Sequence, residues 1–373
     1  MSEQASNTAV HHTEVKVPFV RIAKRGAMPR HHAWIVRAAG LLGALLTGAV
    51  LILALGQNPF AVYASIIDSA FGSRTGFIQM IRSAVPLLGC ALAVGLSFKM
   101  KFWNIGAEGQ ILIGGMAATY FALFWFQDLP RPVLFLVMGS TAAIAGGLWA
   151  LIPAYFRAKW GTNETLFTLM QNYLAFAMLQ YLQTLSHWQM PDTFFPQIAR
   201  FDHAARLPQV FGIHIGWIMI LILTLAVHMY LKHSKQGYQL TVVGQSPNTA
   251  RYAGMNVKLV IMRTMLISGA IVGFVGFIQV SGADFTLNEY TAGGVGFTAI
   301  TVAWIGQLQP LAMIAVAIFI ATLERGALRI QATLAIPATI AEILIGIILF
   351  FMIACEFFNN YRVIFRTRKE AAQ

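Results

Sequence analysis

Long apolar segments alternate with short polar ones along most of the chain. About 20 apolar residues in an α-helix are needed to cross the hydrocarbon core of a bilayer, because each residue advances the helix by about 1.5 Å. Ten segments reach or approach this length, at residues 34–55, 78–98, 105–126, 132–155, 164–186, 214–232, 262–281, 291–306, 309–326 and 336–358. The pattern predicts an all-α polytopic membrane protein, a bundle of about ten transmembrane helices.

The eighth and ninth segments are the shortest of the ten. They are separated only by Gln307, Leu308, Gln309 and Pro310. Residues 291–326 therefore form either two spans or one span with a re-entrant segment.

The composition agrees with a membrane environment. Of the 373 residues, 57% are hydrophobic and only 11% are charged, and the mean hydropathy is +0.66. Soluble domains carry about 25% charged residues, so this composition excludes a soluble, a disordered or a disulfide-stapled secreted chain. The first apolar segment follows 33 polar residues and has no clear small-residue cleavage site, which favours a membrane span over a secretory signal.

The distribution of positive charge predicts the orientation. Nineteen of the 26 Lys and Arg residues fall on one side of the ten-span map and seven on the other. Cytoplasmic loops carry the excess of Lys and Arg, so we expect both termini to be cytoplasmic. The chain then divides into a basic cytoplasmic tail at 1–33, a transmembrane domain at 34–358 and a cytoplasmic tail at 359–373. The same bias explains the net charge of +12 without nucleic-acid binding.

Two loops are longer than a connection requires. The external loop at 187–213 is rich in aromatic residues and proline and poor in charge, which is typical of a segment on the membrane surface or of a docking face. The cytoplasmic loop at 233–261 contains its own helix signal: Ser246 as N-cap, Pro247 at the first helical position and Gly254 at the end. It predicts a short cytoplasmic helix that docks onto a partner.

The sequence contains none of the motifs that would indicate an enzyme or a metal site. It lacks the phosphate-binding pattern G-x-x-x-x-G-K-[ST] and a metalloprotease H-E-x-x-H. Both cysteines, Cys90 and Cys355, lie in apolar segments, which disfavours a metal site or a structural disulfide. We therefore expect no catalytic residues and no cofactor in this chain.

Polar residues inside the predicted spans are the remaining candidates for function, because a charge in the bilayer is costly unless it faces a cavity or a partner. Glu108 begins the third span, where a carboxylate is also favoured by the helix dipole alone. Thr168 and Asn172 lie one turn apart on the fifth span, either along a solute path or bonding one helix to another. The candidates for the path or its gates are Asn104, Glu108, Gln110, Asn163, Glu164, Thr168, Asn172 and Glu342. We interpret Glu342 as a third buried carboxylate.

Four motifs in order resemble one family. Residues 102–110 read FWNIGAEGQ, 161–164 read GTNE with MQNY at 170–173, 243–257 read VGQSPNTARYAGMNV, and 294–297 read GVGF with VAWIGQLQP at 302–310. These segments are similar to motifs of bacterial ATP-binding-cassette (ABC) permeases for nucleosides and simple sugars, in the group that includes branched-chain amino acid and ribose permeases. Gln307 stands where an arginine is usual and Gln171 where a leucine is usual. Trp103 is either an insertion relative to the family pattern or stands in place of a shifted phenylalanine.

The resemblance implies a permease subunit of an ATP-driven importer in the bacterial cytoplasmic membrane. Its partners would be cytoplasmic ATPase subunits that bind ATP and Mg, a second permease subunit and an extracytoplasmic solute-binding protein. The short cytoplasmic helix would be the coupling helix that enters the ATPase, through Ser246, Pro247, Asn248, Arg251, Tyr252 and Gly254.

A stand-alone transporter or channel is the alternative. In that case Glu108, Glu164 and Glu342 would relay protons or cations across the membrane.

Overall fold

A computed structural model describes residues 20–24, 30–125, 129–191, 196–334, 337 and 339–365. Most of the predicted N-terminal tail, part of the external loop at 192–195 and the tail beyond residue 365 lie outside the described residues.

The described residues form thirteen α-helices. Their bounds are Arg30–Ala54 (α1), Pro59–Phe71 (α2), Arg74–Lys99 (α3), Ala107–Phe124 (α4), Arg131–Trp160 (α5), Glu164–Thr184 (α6), Gly216–His233 (α7), Lys235–Gln245 (α8), Pro247–Tyr252 (α9), Val257–Ile278 (α10), Val295–Ile305 (α11), Pro310–Leu334 (α12) and Thr339–Asn360 (α13). The prediction of an all-α membrane protein is confirmed at this level.

Six single helices in the described part of the chain are long and apolar enough to cross a membrane: α3, α5, α7, α10 with its extension to Asp284, α12 and α13. Helices α1 and α2 meet at an angle of 114° and together form a seventh candidate. Helices α4 and α6 contain 18 and 21 residues and coincide with two predicted spans, but they carry more polar residues. Ten full spans are therefore not evident from length and composition.

The predicted span at 291–306 differs most from the structure. Helix α11 has only 11 residues, which corresponds to about 16 Å and is too short to cross the hydrocarbon core. A π-helical turn at Gln279–Asp284 and the irregular residues 285–294 precede it. Residues 291–326 thus contain the short helix α11 followed by the long helix α12.

Two helices were missed by the search for long apolar segments. Helix α2 has 13 residues and α8 has 11, so neither meets the length of a span. Both helices nevertheless begin with capping residues that can be recognised in the sequence. Asn58 caps α2 with Pro59 at its first turn, and Ser234 caps α8 by accepting a hydrogen bond from the Gly237 amide at 2.9 Å.

Four short strands complete the fold. Strand β1 (Val20–Lys24) pairs antiparallel with β4 (Tyr361–Phe365), so that Val20 is opposite Phe365 and Lys24 is opposite Tyr361. Strands β2 (Gln209–Val210) and β3 (Ile213–His214) form a hairpin in the external loop. The first pair holds the two ends of the described chain together.

Helix α10 is the centre of the bundle, packed between α3, α4 and α5. Glycines make the contacts: a Cβ added at Gly273 would lie 2.1 Å from the Ala142 carbonyl oxygen, and one at Gly114 would lie 2.4 Å from the Gly273 Cα. The backbones of α4, α5 and α10 therefore touch directly, as small residues allow in membrane bundles.

The external loop folds back onto the bundle. The Phe201 and Leu207 amides donate to the carbonyl oxygens of Phe285 and Ser281, at 2.8 and 2.9 Å. Phe201 and His214 are almost completely buried. The described part of this loop thus covers the outer end of α10.

The close backbone packing makes Gly273 sensitive to substitution. We expect Gly273→Ala to lower stability by about 1–3 kcal/mol, because the added methyl group overlaps the Ala142 carbonyl. The midpoint of thermal unfolding in detergent measures the effect. Gly346→Ala is the matched control, since Gly346 is also inside a helix and has open space around its Cβ position. Equal midpoints for both variants would contradict the packing argument.

Buried His214 makes the external loop acid-sensitive. Burial, together with the nearby Arg82 guanidinium, lowers the pKa of His214 from 6.5 to about 4. The unfolded chain then binds a proton that the folded chain does not, so stability is lost as pH falls from about 6.5 towards 4. We expect a loss of about 1–2 kcal/mol between pH 7.5 and 5, seen as a lower melting midpoint.

His214→Gln should flatten this pH dependence because it removes the titrating group. His203→Gln is the control, since His203 is exposed in the same loop and its variant should keep the full acid response. An unchanged pH profile in His214→Gln would rule out this histidine as the cause.

Candidate coupling surface and translocation site

The short cytoplasmic helix predicted from Ser246, Pro247 and Gly254 is present as α9. The Ser246 Oγ accepts a hydrogen bond from the Thr249 amide at 3.2 Å, and Pro247 occupies the first position. At the other end Gly254 has a φ of +76°. The Gly254 and Met255 amides donate to the Arg251 and Ala250 carbonyls, both at 3.0 Å. This pair of bonds is a Schellman motif, which satisfies the last carbonyls of the helix.

One side of α9 packs on the chain and the other is exposed. Ala250 is fully buried, whereas the Tyr252 side chain is 94% exposed. Arg251 is also exposed, and its Nη1 donates to the Asn248 Oδ1 at 3.2 Å. Helix α9 thus presents an aromatic ring, a guanidinium and an amide on one free surface.

Helix α8 connects this surface to the membrane helices. A Cβ at Gly244 would lie 1.9 Å from the Lys99 carbonyl oxygen at the end of α3. The Arg263 Nη2 on α10 donates to the Gln239 Oε1 on α8 at 3.1 Å. A force on α9 therefore reaches α3 and α10 through direct contacts.

The second group of candidates lies where the irregular residues 101–106 approach α6. The Ile105 amide donates to the Thr168 Oγ1 at 3.2 Å, and the Gly109 amide donates to the Asn172 Oδ1 at 2.9 Å. The Asn172 Nδ2 in turn donates to the Ile105 carbonyl at 2.9 Å. Thr168 and Asn172 thus bond α6 to the backbone before and within the first turn of α4.

These contacts place the start of α4 beside the third turn of α6. Gly109 is bonded to Asn172, which lies about 12 Å along α6 from its first residue at 1.5 Å per residue. The N–H and C=O groups of buried backbone that is not helical need hydrogen-bond partners from the protein, unless that backbone lines a cavity. Thr168 and Asn172 provide some of these partners.

Asn104 and Gln110 complete the same cluster. Both are fully buried, and the Asn104 Oδ1 accepts from the Gly106 amide at 2.9 Å and from the Gln110 Nε2 at 3.4 Å. The Asn104 Nδ2 and the Gln110 Oε1 have no hydrogen-bond partner among the described residues. The cluster therefore retains one free donor and one free acceptor.

Glu164 is the first residue of α6 and lies at one end of this cluster. It is buried, and its Oε2 is 3.3 Å from the Arg157 Nε at the end of α5. Arg157 also donates to the Gly161 and Thr162 carbonyls, both at 3.1 Å. Asn163 caps α6 by accepting from the Thr165 and Leu166 amides. Glu164 is thus paired, and Asn163 is a helix cap.

Glu108 caps a helix other than its own. Its Oε1 accepts a hydrogen bond from the Gly296 amide in the first turn of α11 at 2.6 Å. Gly294 precedes α11 and supplies no capping side chain. The N-terminus of α11 meets the N-terminus of α4 at this carboxylate, and its partial positive charge favours the anion. A Cβ at Gly296 would lie 2.6 Å from the Glu108 amide nitrogen, so the approach requires glycine.

The C-terminal end of α11 packs into an aromatic cluster. The Trp304 ring stacks on the Trp103 ring at a centroid distance of 5.9 Å, and the Phe98 ring lies 5.0 Å from that of Trp103. Helix α11 therefore runs beside residues 103–108, held at one end by Glu108 and at the other by tryptophan.

The prediction that Glu342 is buried is wrong. Glu342 lies in the first turn of α13 and its side chain is exposed. A carboxylate is favoured in a first turn by the helix dipole, without a buried site. The three carboxylates of the alternative relay thus lie in three different environments: Glu108 on the α11 amides, Glu164 on Arg157, and Glu342 at an exposed helix end.

Arg157 and Gly296 were missed as site residues by the reasoning from sequence. Gly296 lies inside a quoted motif, and Arg157 is seven residues before Glu164, on the other side of the turn that joins α5 to α6. Neither the motif that contains Gly296 nor the spacing between Arg157 and Glu164 shows which residues are in contact in the folded chain.

The family model for branched-chain amino acid transport system permease components matches residues 76–353. The chain belongs to this family. The family consists of transport permeases, not enzymes, and this permease is an integral membrane protein with several spanning helices.

Three relatives of this permease match most of its length. It is 31% identical to the glucose ABC transporter permease protein TsgB13 of Haloferax volcanii, over 92% of this chain and 93% of that protein. It is 30% identical to the guanosine ABC transporter permease protein NupP of Bacillus subtilis, over 86% and 93%. It is 27% identical to the nucleoside ABC transporter permease protein NupB of Lactococcus lactis, over 82% and 87%. All three are ABC transporter permeases, as is this chain.

Substitution of Glu108 by glutamine distinguishes a role in capping α11 from a role in proton transfer. We expect Glu108→Gln to retain most transport, because the amide oxygen still accepts the Gly296 N–H, whereas Glu108→Ala loses about 0.5–2 kcal/mol of stability with the cap. Solute uptake and the melting midpoint of the permease measure the two effects. Full loss of uptake in a stable Glu108→Gln protein would instead support an ion relay.

Proposed function

We propose that this permease is the transmembrane subunit of an importer for a nucleoside or a simple sugar in the bacterial cytoplasmic membrane. It works with separate ATPase subunits that hold ATP and Mg, with a second permease subunit and with an extracytoplasmic solute-binding protein. The chain itself carries no cofactor and binds no nucleic acid. Glucose and guanosine, named for two relatives of almost equal identity, both present a ring with several hydroxyl groups, which defines the substrate class.

The capping and exposure of helix α9 are the main support for this proposal. A six-residue helix, capped at both ends and exposed on one side, is not needed to join α8 to α10. It is the coupling helix, in which Ser246, Pro247 and Gly254 fix the helix ends. Asn248, Arg251 and Tyr252 contact the ATPase.

The path for the solute runs beside the cluster at the start of α4. Asn104 and Gln110, each with a buried polar atom without a protein partner, offer hydrogen bonds to hydroxyl groups. Glu108, Asn163, Glu164, Thr168 and Asn172 hold the inserted ends of α4, α6 and α11 as the gate. Movement of α9 is transmitted to this gate through α8, α3 and α10. It shifts the equilibrium between two arrangements of the bundle. Glu342 lies at the outer entrance.

Ten crossings with both termini cytoplasmic complete the proposed topology. Helices α1, α3, α4, α5, α6, α7, α10, α12 and α13 supply nine, and residues 285–305 with the short α11 supply the tenth. The antiparallel pairing of β1 with β4 supports this assignment, because it requires both ends of the described chain to lie on the same side. The excess of Lys and Arg makes that side the cytoplasm.

Uptake measurements distinguish the two substrates. Cells that express the complete transporter should accumulate labelled guanosine or labelled glucose, and excess unlabelled solute of the same class should compete. Uptake should disappear when the ATPase subunit is deleted. Uptake that persists without it and ends when the ion gradient collapses would overturn the proposal.

Charge reversal on α9 should disconnect the ATPase. We expect Arg251→Glu to reduce co-purification of the ATPase about tenfold or more, because it removes the exposed guanidinium of α9 and places a negative charge on that surface. The permease itself should keep its melting midpoint, since Arg251 is exposed. Lys258→Glu is the control: it reverses a charge in the same loop outside α9. Undiminished co-purification and transport in Arg251→Glu would show that α9 is not the coupling helix.

A further inference from the structure

A cavity of about 560 Å³ lies beside the coupling helix and is separate from the cluster at the start of α4. Its walls come from α8, the turn after α9 and the first two turns of α10. The lining residues that carry the argument are Lys235, Tyr238, Gln239, Asn256, Leu259 and Arg263. The volume lies in the range of small-ligand sites.

The cavity is positively charged. Lys235 and Arg263 line it, and none of its described lining residues is acidic. Residues 203–283, which contain the whole cytoplasmic loop, hold no aspartate or glutamate in the sequence. The Arg263 Nη2 donates to the Gln239 Oε1 at 3.1 Å, which holds the guanidinium at the wall of the cavity.

Helix α10 adds a second source of positive potential. It is 22 residues long, begins at the cavity and has no acidic residue in its first turn. Asn256 caps only part of that turn, accepting from the Leu259 amide at 3.1 Å. Two cations beside a helix N-terminus that lacks a counter-charge are features that bind phosphate groups in proteins.

Exposed leucines of α10 continue from the wall of the cavity along the helix. Leu259 lines it and is 52% exposed, and Leu266, two turns further along the same side, is 38% exposed. Arg263 lies between them. Tyr238, 65% exposed on α8, adds an amphipathic ring of the kind found at membrane interfaces. An acyl chain has an apolar surface to follow from the cavity into the bilayer.

We propose that this basic cavity binds a phosphate group, and that the apolar stripe of α10 makes an anionic phospholipid headgroup of the cytoplasmic leaflet its source. Lys235 and Arg263 contact the phosphate, Gln239 holds the guanidinium in place, and Leu259 contacts the first part of the acyl chain. The bound lipid also lies against the turn that follows the coupling helix. The site goes beyond the proposed transport function and does not depend on the identity of the solute.

Native mass spectrometry of the assembled transporter tests the proposal. The complex is purified from nanodiscs of phosphatidylcholine that contain phosphatidylglycerol at increasing fractions, and the retained phosphatidylglycerol is counted. We expect saturable retention that weakens about fivefold for each charge removed in Lys235→Gln and Arg263→Gln. Arg263→Lys should retain most of the binding, because it keeps the positive charge.

Lys258→Gln is the matched control, since Lys258 is in the first turn of α10 and does not line the cavity. Folding of each variant is checked by its melting midpoint. In a second experiment the complex is purified in detergent, without phosphate or anionic lipid, and inorganic phosphate is then added. Binding of phosphate that depends on Lys235 and Arg263, without specific lipid retention, would support the site but assign it to a soluble phosphate ester. Equal retention by the double variant and the control, with no phosphate binding, would overturn the proposal.

Discussion

The need to satisfy backbone polar groups inside the membrane determines the architecture around the start of α4. Helices α4 and α11 both begin within the bundle instead of at its surface, so their first amides cannot bond to water. Thr168 and Asn172 of α6 satisfy one set and Glu108 satisfies the other. Removing any of these side chains leaves a buried donor unpaired, which explains why polar residues persist in apolar helices here.

The close packing around α10 makes that arrangement rigid enough to transmit movement. Gly114, Gly146 and Gly273 allow α4, α5 and α10 to touch through their backbones, and such contacts cannot slide without breaking. Helix α10 also carries Arg263, which is bonded to α8 beside α9. The helix at the centre of the bundle therefore connects α8 with α4.

Positive charge has two consequences in the cytoplasmic loop. The excess of Lys and Arg orients the chain in the bilayer. The complete absence of acidic residues from 203–283 also leaves the cavity beside α9 without a counter-charge. Orientation depends only on the number of charges, whereas an anion site depends on the two that the fold brings together, Lys235 and Arg263.

Local patterns in the sequence were sufficient to identify the membrane class, most of the long helices and the ends of α9. These features follow from local interactions: apolar length decides whether a segment can span, and Ser246, Pro247 and Gly254 act within one or two turns of their own helix. The short length of α11 and the exposure of Glu342 became evident only in the folded chain. Tertiary packing also showed that Glu108 caps a helix 188 residues away. A cap supplied across the bundle depends on which helix ends are brought together in space, and the spacing of residues along one chain does not contain that information.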